Sequence, residues 1–226
     1  MEGVVRAGAA ACNFPFLKQT SMKYTGPKAK ICRRFGTNLF GSDKYDKILQ
    51  RKPQGPGKGP RDRMGRKSEY AEQLAEKQKV RSIYGLSEKQ FHRIYKESAA
   101  VVGQTGEMMK QLLERRLDNV IYRAGFALTR TQSRQFVSHG LFTVNGVRVT
   151  VPSYRVRGGD KIVVRERSKT SPVFNPILQE HEKYMPPKWL KVDAHNLSVE
   201  ILSAPDAESA EQAVDIRQVI EFYSRR

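Results

Sequence analysis

The stretch LERRLDNVIYRAGFALTRTQSRQFVSHGLFTVNGVRV, residues 113–149, is the part of the chain that decides its fold. Its apolar residues first recur three and four positions apart, which predicts one amphipathic helix over 105–124, capped by Thr105. Thr129 and Gln132 have the spacing of a capping box and predict a second, shorter helix. The segment FTVNGVRV then alternates with a period of two around an Asn-Gly pair, the strongest short signal of a β-hairpin.

Two more helices are predicted on the N-terminal side of this stretch. Ser68 begins a helical pattern that Gly85 ends, and a capping box of Ser87 and Gln90 begins the next helix, which we expect to end at Gly103. The buried face of that second helix is predicted to consist of Phe91, Ile94, Tyr95, Ser98 and Val102.

A strand and a last helix are predicted on the C-terminal side. Residues 160–167, which follow a Gly-Gly turn, are predicted to form a strand. The last fifteen residues have the pattern of an amphipathic helix that docks through Val214, Val219, Ile220 and Tyr223. We therefore predict an α+β fold with a mostly helical lobe and a small lobe of helix-turn-helix and β-hairpin. An extended, basic N-terminal arm precedes both.

The charge of the chain points to a polyanionic partner. Its 226 residues contain 41 Lys and Arg against 23 Asp and Glu, a formal net charge of +18. Nucleic acid is the first candidate, and an anionic membrane surface is a weaker second, because no run of about 18 apolar residues exists. Residues 1–21 resemble a targeting peptide only loosely, and we expect a disordered extension or an early start codon before Met22.

The basic arm, residues 22–67, carries fourteen basic residues against three acidic ones. Such a composition is expected to bury too little apolar surface to order itself, so we predict that it orders on a polyanion, with short helices. The segment GPGKGP at 55–60 is predicted to be a turn-rich loop and not a phosphate loop, because two prolines remove amide donors.

Catalytic and metal chemistry find little support in the residues. Glu114 and Asp118 lie four residues apart like a carboxylate pair, but arginines within helical reach predict salt bridges instead. Cys12 and Cys32 are too few for a four-thiolate zinc site, and the four histidines are scattered. We predict no enzyme activity, no catalytic residue, no metal and no cofactor.

The arginines of the opening stretch are predicted to form one face. They lie off the apolar stripe, as does Asn119, and arginine binds phosphate oxygens through its planar fork. Arg130 and Arg134, four residues apart, should lie side by side and are the first pair to test. The amides at the start of their helix, at Thr129, add a positive dipole end.

The same stretch resembles the signature of the S-four-type RNA-binding domain. The matching residues are Glu114, Arg116, Leu117, Tyr122, Arg123, Thr129, Ser133, Arg134, Phe136 and Val137. That domain also occurs in pseudouridine synthases, tyrosyl-tRNA synthetases and a heat-shock RNA-binding protein. The resemblance of the domain alone therefore implies RNA binding without naming the RNA.

The flanking segments are similar to the bacterial-type family of small-subunit ribosomal protein S-four. These segments are YTGPKAKICRRFGTNLFG, EKQKVRSIYGLSEKQF, TGEMMKQLLERRLDNV, KWLKVD and VIEFYSR. The resemblance implies a primary assembly protein in the cytoplasmic small ribosomal subunit that binds ribosomal RNA in its 5′ domain. It also implies contact with mRNA and with neighbouring ribosomal proteins at the mRNA entry channel, and an influence on translational accuracy.

The family fold implies how the chain divides. Residues 68–102 with 200–226 would form the helical lobe, and 103–199 a second lobe that contains the RNA-binding domain at about 113–175. The expected RNA-binding residues are Lys28, Lys30, Arg33, Arg34, Lys77, Lys79, Arg81, Arg115, Arg116, Arg123, Thr129, Arg130, Ser133, Arg134 and Arg148.

Two departures from the family pattern bear on its chemistry. The family's Pro-Gly-Gln-His-Gly loop is replaced by the longer GPGKGPRDRMGR, and only Cys32 lies where some members bind zinc, so no zinc is predicted. Two other functions stay open: an RNA-modifying enzyme with an appended RNA-binding domain, and a free mRNA-binding translational repressor.

Overall fold

The computed structural model of the chain describes Tyr24, 26–59, Gly65, 68–169, Ser171, Phe174, 184–206 and 214–225. Within these residues it contains nine helices and five strands, in agreement with the predicted α+β class. The helices are α1 (Lys28–Phe35), α2 (Asp43–Arg51), α3 (Glu69–Tyr84), α4 (Glu88–Ala99), α5 (Thr105–Glu114), α6 (Leu117–Arg123), α7 (Arg130–Ser138), α8 (Glu166–Lys169) and α9 (Ile216–Ser224). The strands are β1 (Phe142–Val144), β2 (Val147–Arg148), β3 (Lys161–Val164), β4 (Leu190–Asp193) and β5 (Ser198–Ile201).

Helices α3 and α4 begin where the sequence predicts. The Ser68 side chain accepts a hydrogen bond from the Ala71 amide, and Ser87 with Gln90 forms a complete capping box. Gly85 ends α3 in the left-handed conformation, with φ of 61°. The predicted end of α4 was wrong: the helix stops at Ala99, and Val102 is fully exposed and not on the buried face.

The predicted single helix over 105–124 is two helices, α5 and α6, separated by a turn at Arg115 and Arg116. The turn exists because a distant segment competes for its backbone. The Leu117 amide donates to the Tyr154 carbonyl (2.8 Å), and the Val156 amide donates to the Arg115 carbonyl (3.0 Å). These hydrogen bonds take the place of the backbone hydrogen bonds that would continue the helix through the turn. Thr105 is also not the cap, since Gln104 precedes the helix and makes no side-chain cap bond.

Helix α7 and the hairpin follow the prediction closely. The Thr129 hydroxyl accepts a hydrogen bond from the Gln132 backbone amide, as in a capping box. The Gln132 side chain accepts its bond from the Leu128 amide, which is one residue before the N-cap amide that a capping box uses. In the hairpin, Asn145 has φ of 50° and Gly146 has φ of 83°. Positive φ at both central residues is the type I′ turn that an Asn-Gly pair favours.

The five strands form one antiparallel sheet in the order β2-β1-β3-β5-β4. The predicted strand over 160–167 is shorter, because it ends at Val164 and the next residues form α8. Strands β4 and β5 were not predicted. They extend the sheet beyond the hairpin, with β5 paired to β3.

Two clusters of buried apolar side chains hold the described residues together. A helical core contains Val80, Phe91, Met109 and Leu113 from α3, α4 and α5, together with Val219 of α9. The predicted docking of the last helix is confirmed, since Val219 and Tyr223 are buried and Val214 and Ile220 pack partly buried against this core. The sheet core contains residues of α6 and α7 and the inner faces of β1, β3 and β5. The turn between α5 and α6 therefore lies where the chain passes from one core to the other.

The N-terminal arm is folded over part of its length. Helices α1 and α2 bury Cys32 and Leu39, and Leu39 belongs to the helical core. Arg33 of α1 donates to the carbonyls of Lys52 (3.3 Å), Gln54 (3.1 Å) and Gly55 (3.4 Å). The expectation that the arm buries too little apolar surface was therefore wrong for these helices. The predicted extension 1–21 lies outside the described residues.

Candidate nucleic-acid interface

A buried hydrogen-bond network around Glu114 joins the two cores. Glu114 is 1% exposed, and its carboxylate accepts from the Tyr84 hydroxyl (2.7 Å) and the Asn119 amide (2.6 Å). Arg123 donates to both of its oxygens, at 3.1 and 3.2 Å. Burial and then the negative charge of Glu114 raise the pKa of Tyr84 well above its ordinary value, so Tyr84 stays a proton donor.

A second buried carboxylate, Asp118, holds two arginines. Arg116 donates to both of its oxygens at 3.1 and 2.8 Å, and Arg134 lies 3.6 Å away. The prediction of salt bridges for Glu114 and Asp118 is therefore confirmed, although Glu114 pairs with Arg123, nine residues on, and not with a neighbour one helical turn away. Both carboxylates are held in hydrogen bonds and ion pairs within the fold.

Three polar residues of the predicted face are buried, and the predicted position of Arg116 and Asn119 off the buried stripe was wrong. Arg116 is 4% exposed and Asn119 is 2% exposed, so neither lies on an outer face. Ser133 is completely buried, and its hydroxyl donates to the Asp118 carbonyl. Arg116 and Ser133 thus position the turn and α7, and RNA binding by either residue stays a prediction.

The basic residues of α3 are mostly structural as well. Lys77 is buried beneath the Phe222 ring, with its ammonium 4.5 Å from the ring centre and 2.8 Å from Glu88, and RNA binding by Lys77 stays a prediction. Lys79 is paired with Glu76 at 3.2 Å. Arg81 also contacts Glu88, but its side chain is 39% exposed at the edge of a cleft.

The cleft lies between the arm, the turn from α3 to α4, and helices α6 and α7. Its volume is about 140 Å³. Its lining consists of Tyr24, Lys28, Ile31, Leu39, Phe40, Arg81, Ser82, Ile83, Tyr84, Gly85, Leu86, Tyr122, Thr129, Arg130, Thr131 and Arg134. Four of these side chains are basic and none is acidic, so the cleft is suited to an anionic ligand.

Hydrogen bonds and ring stacking hold the basic side chains of the cleft in place. The Arg130 guanidinium lies 4.4 Å from the Tyr122 ring centre and 5.2 Å from that of Tyr84, and it donates to the Asn119 side chain. Arg134 donates to the Gly85 carbonyl at 3.3 Å, and Lys28 donates to the Thr131 hydroxyl at 3.0 Å. Arg130 and Arg134 lie side by side as predicted, but they also connect the two cores.

The remaining predicted residues lie outside the cleft, except that Thr129 lines it. Lys30 and Arg34 lie exposed on α1, and Arg148 lies exposed on β2, where it donates to the His139 carbonyl at the end of α7. Arg115 donates to the Val156 carbonyl at 2.9 Å, and the Thr129 hydroxyl caps α7. The structure therefore brings Lys28, Arg81, Arg130 and Arg134 together, while α1 and β2 carry separate basic patches.

Sequence reasoning missed the aromatic walls of the cleft. Phe40, Tyr84 and Tyr122 come from three separate segments, and of the three only Tyr122 belongs to the signature residues. The sequence signal that could have predicted these walls is that basic residues lie close to each of these aromatic residues along the chain. Alternation of aromatic and basic side chains is typical of surfaces that bind single-stranded nucleic acid.

The described residues offer neither a metal cluster nor a membrane-spanning helix. In the part of the chain that is described, no group of three or more His, Cys, Asp and Glu side chains could hold a metal ion. Burial raises the pKa of the Cys32 thiol, which disfavours the thiolate that a metal would require. Over the same residues, no helix combines the length and apolar character needed to cross a membrane.

Two family models match the chain. The Ribosomal protein S4/S9 N-terminal domain matches residues 23–114, and the S4 domain matches residues 115–162. The boundary between them coincides with the turn between α5 and α6, where the two cores meet. The resemblance of the opening stretch to an S-four-type domain is thereby confirmed.

Relatives cover nearly the whole chain. The small ribosomal subunit protein uS4 of Borrelia turicatae is 42% identical over 200 residues, which are 88% of this chain and 96% of the relative. The protein of that name from Roseiflexus sp. is 43% identical over 206 residues, 90% of this chain and 99% of the relative. These names denote a ribosomal protein and not an enzyme, in agreement with the prediction of a non-enzymatic chain. The chain therefore belongs to the uS4 family of small ribosomal subunit proteins.

Proposed function

We propose that the chain is a structural constituent of the small ribosomal subunit that binds small-subunit ribosomal RNA. The observation that carries the proposal is the cleft between the two cores, where four basic side chains converge without an acidic one. Lys30 and Arg34, exposed on α1, form a separate basic patch that adds to the positive charge of the surface. The names of the relatives support the same assignment.

Recognition would depend mainly on RNA shape and phosphate positions. An A-form helix hides its base edges in a deep, narrow groove, so side chains read its backbone. The arginines of the cleft are held by carbonyls, carboxylates and rings, which fixes their direction before RNA arrives. A rigid set of positive groups favours an RNA junction whose phosphates match their spacing, because little side-chain entropy is lost on binding.

The finer roles rest on the resemblance of the flanking segments. We propose binding to the 5′ domain of the ribosomal RNA as a primary assembly protein in the cytoplasm. We also propose that the chain lines the mRNA entry channel with neighbouring ribosomal proteins, contacts mRNA and influences translational accuracy. The basic surface, with a net charge of +18 for the whole chain, is consistent with a partner that presents many phosphates.

The proposal is tested by comparing RNA ligands for the full chain. Binding to a transcript of the small-subunit 5′ domain is measured by filter retention at several salt concentrations, beside an unrelated duplex of equal length. We expect tighter binding to the 5′ domain and a linear fall of log affinity with log salt. Equal affinity for the two RNAs would overturn the proposal.

A second experiment tests assembly in cells. Sedimentation of a lysate should place the chain in 30S-sized particles, and mass spectrometry of the nucleosides should reveal no change in RNA after incubation with the chain. Absence from those particles would favour the free translational repressor. A modified nucleoside would favour the RNA-modifying enzyme.

A further inference from the structure

The cleft between the cores has the size of a single aromatic ring. Its volume of about 140 Å³ is close to that of an engineered apolar protein cavity of about 150 Å³ that holds benzene. A folded RNA helix or a protein helix is far too wide for it. A single unstacked base is the part of an RNA chain that matches this size.

The walls of the cleft match the flat faces of a base. Phe40, Tyr84 and Tyr122 contribute rings, and Leu39 and Leu86 contribute aliphatic surface. The guanidinium of Arg130 lies against two of those rings and so presents a planar cation to the same space. Unstacked RNA bases bind on aromatic rings and on arginine planes, and these contacts tolerate any base.

The edge of the cleft matches a phosphate. Arg81 and Arg134 keep 39% and 30% of their side-chain surface exposed, although each also contacts a carboxylate, Glu88 and Asp118. The lining itself contains no acidic side chain. A base in the cavity with its own phosphate at this edge would satisfy both the apolar walls and the positive rim.

We propose that the cleft captures one unstacked nucleotide of the RNA, with the base between the aromatic walls and its phosphate at Arg81 and Arg134. This inference rests on the proposed function, because it names the element of RNA that the same surface binds. The captured nucleotide would act as an anchor that fixes the orientation of the two cores on the RNA.

A variant that fills the cavity without changing charge tests the inference. Ser82 lines the cleft, and its hydroxyl donates only within α3, to the Gln78 carbonyl at 2.7 Å. Ser82→Leu should weaken binding of the full chain to the 5′-domain RNA about 10- to 100-fold, the equivalent of one lost stacked base. The dependence of affinity on salt should stay unchanged, because no phosphate contact is removed.

Chemical probing of the bases locates the anchor. One base should be protected from base-specific reagents in the wild-type complex and become reactive in the Ser82→Leu complex, while other protections remain. Thr131→Leu fills the same space from α7 and should release the same base. Ser138→Leu is the matched control, because Ser138 is an exposed serine outside the cleft whose hydroxyl also donates within its own helix, and it should leave that base protected.

The outcomes separate this inference from the proposed function. Failure of the wild-type chain to prefer the 5′-domain RNA would overturn the proposed function. Preferential binding that neither filling variant changes would overturn only the nucleotide anchor. If both variants failed to fold, adenosine 5′-monophosphate and uridine 5′-monophosphate would be added to the wild-type chain. Shifts of the Gly85 and Thr131 amide signals in NMR spectra would support the anchor, and unchanged signals would overturn it.

Discussion

Basic residues are frequent both at the joint between the two cores, which is the α5–α6 turn with Glu114 and Asp118, and on the outer face of α1. Their environments differ. At the joint, Arg116 and Arg123 are fixed on buried carboxylates. On α1, Lys30 and Arg34 lie exposed at the surface. The difference follows from where acidic partners lie after folding. A basic residue beside a buried carboxylate stabilises the fold, whereas one on an exposed helix is available to a polyanion.

The largest effect is expected at the joint, for Glu114→Gln. An amide in place of this carboxylate removes the buried negative charge that pairs with Arg123 and directs N–H groups at other donors. Breaking a buried ion pair costs about 3 to 5 kcal/mol. At about 2–4 °C per kcal/mol for a chain of this size, the melting temperature should fall by roughly 10 °C. Urea and thermal unfolding measure both quantities.

The control for this variant is Glu166→Gln in α8. Glu166 pairs with Lys169 at the surface, where its side chain is 83% exposed. Surface pairs of this kind contribute about 0–1 kcal/mol, so the control should unfold almost like the wild type. A Glu114→Gln variant as stable as this control would show that the joint does not depend on its carboxylate.

The second effect is expected for Arg116→Ala, which removes the bidentate partner of Asp118. Arg134 remains 3.6 Å from that carboxylate, so the loss of stability should be smaller, about 2–3 kcal/mol. Because Arg116 is buried, the salt dependence of RNA binding should not change at temperatures where the variant is folded. A reduced slope would mean that Arg116 reaches a phosphate.

The third effect concerns α1, where RNA binding should change and stability should not. Lys30→Ala combined with Arg34→Ala should change stability by less than about 0.5 kcal/mol, since both side chains are exposed. The plot of log affinity against log salt should become shallower by about 1 to 2, because two phosphate contacts are lost. Lys161→Ala with Lys191→Ala, two exposed residues of the sheet, is the matched control and should leave the slope unchanged. Equal slopes in both double variants would remove α1 from the interface.

Sequence reasoning succeeded where the deciding interactions are local. The capping box at Ser87, the left-handed glycine at 85 and the Asn-Gly turn each act within about four residues, and the structure contains all of them. The position of Arg130 and Arg134 on the same side of α7 follows from helical spacing and was also predictable.

It failed where a distant segment decides. The break between α5 and α6 requires hydrogen bonds to the Tyr154 carbonyl and from the Val156 amide, some forty residues later. Lys77 is buried because Phe222 and Tyr223 of α9 cover it. Strands β4 and β5 carry short apolar patterns that gain a partner only when β3 lies beside them. The cleft is likewise formed by four separate segments, so no single stretch of sequence predicts it.

The smallest effect concerns Glu88 of α4, which combines both kinds of basic partner: buried Lys77 and the partly exposed Arg81 at the edge of the cleft. Burial alone would raise the pKa of this carboxyl, but hydrogen bonds from Lys77, Tyr223 and Arg81 outweigh burial and hold the pKa below its ordinary value of 4.5. A lowered folded-state pKa contributes stability that is present above the unfolded-state value and is lost as pH falls through the folded-state value.

Glu88→Gln should therefore be less stable than the wild type at pH 6 to 8, and the difference should shrink below about pH 4.5. The effect should be modest because the Glu88 side chain is 42% exposed and solvent screens its charge. Tyr223→Phe, which deletes one donor at 2.8 Å, should retain part of the pH dependence. Melting curves from pH 3 to 8 decide the matter. A stability difference between Glu88→Gln and the wild type that is the same at all pH values would contradict this prediction. It would mean that Glu88 stabilises the fold through packing and not through its charge.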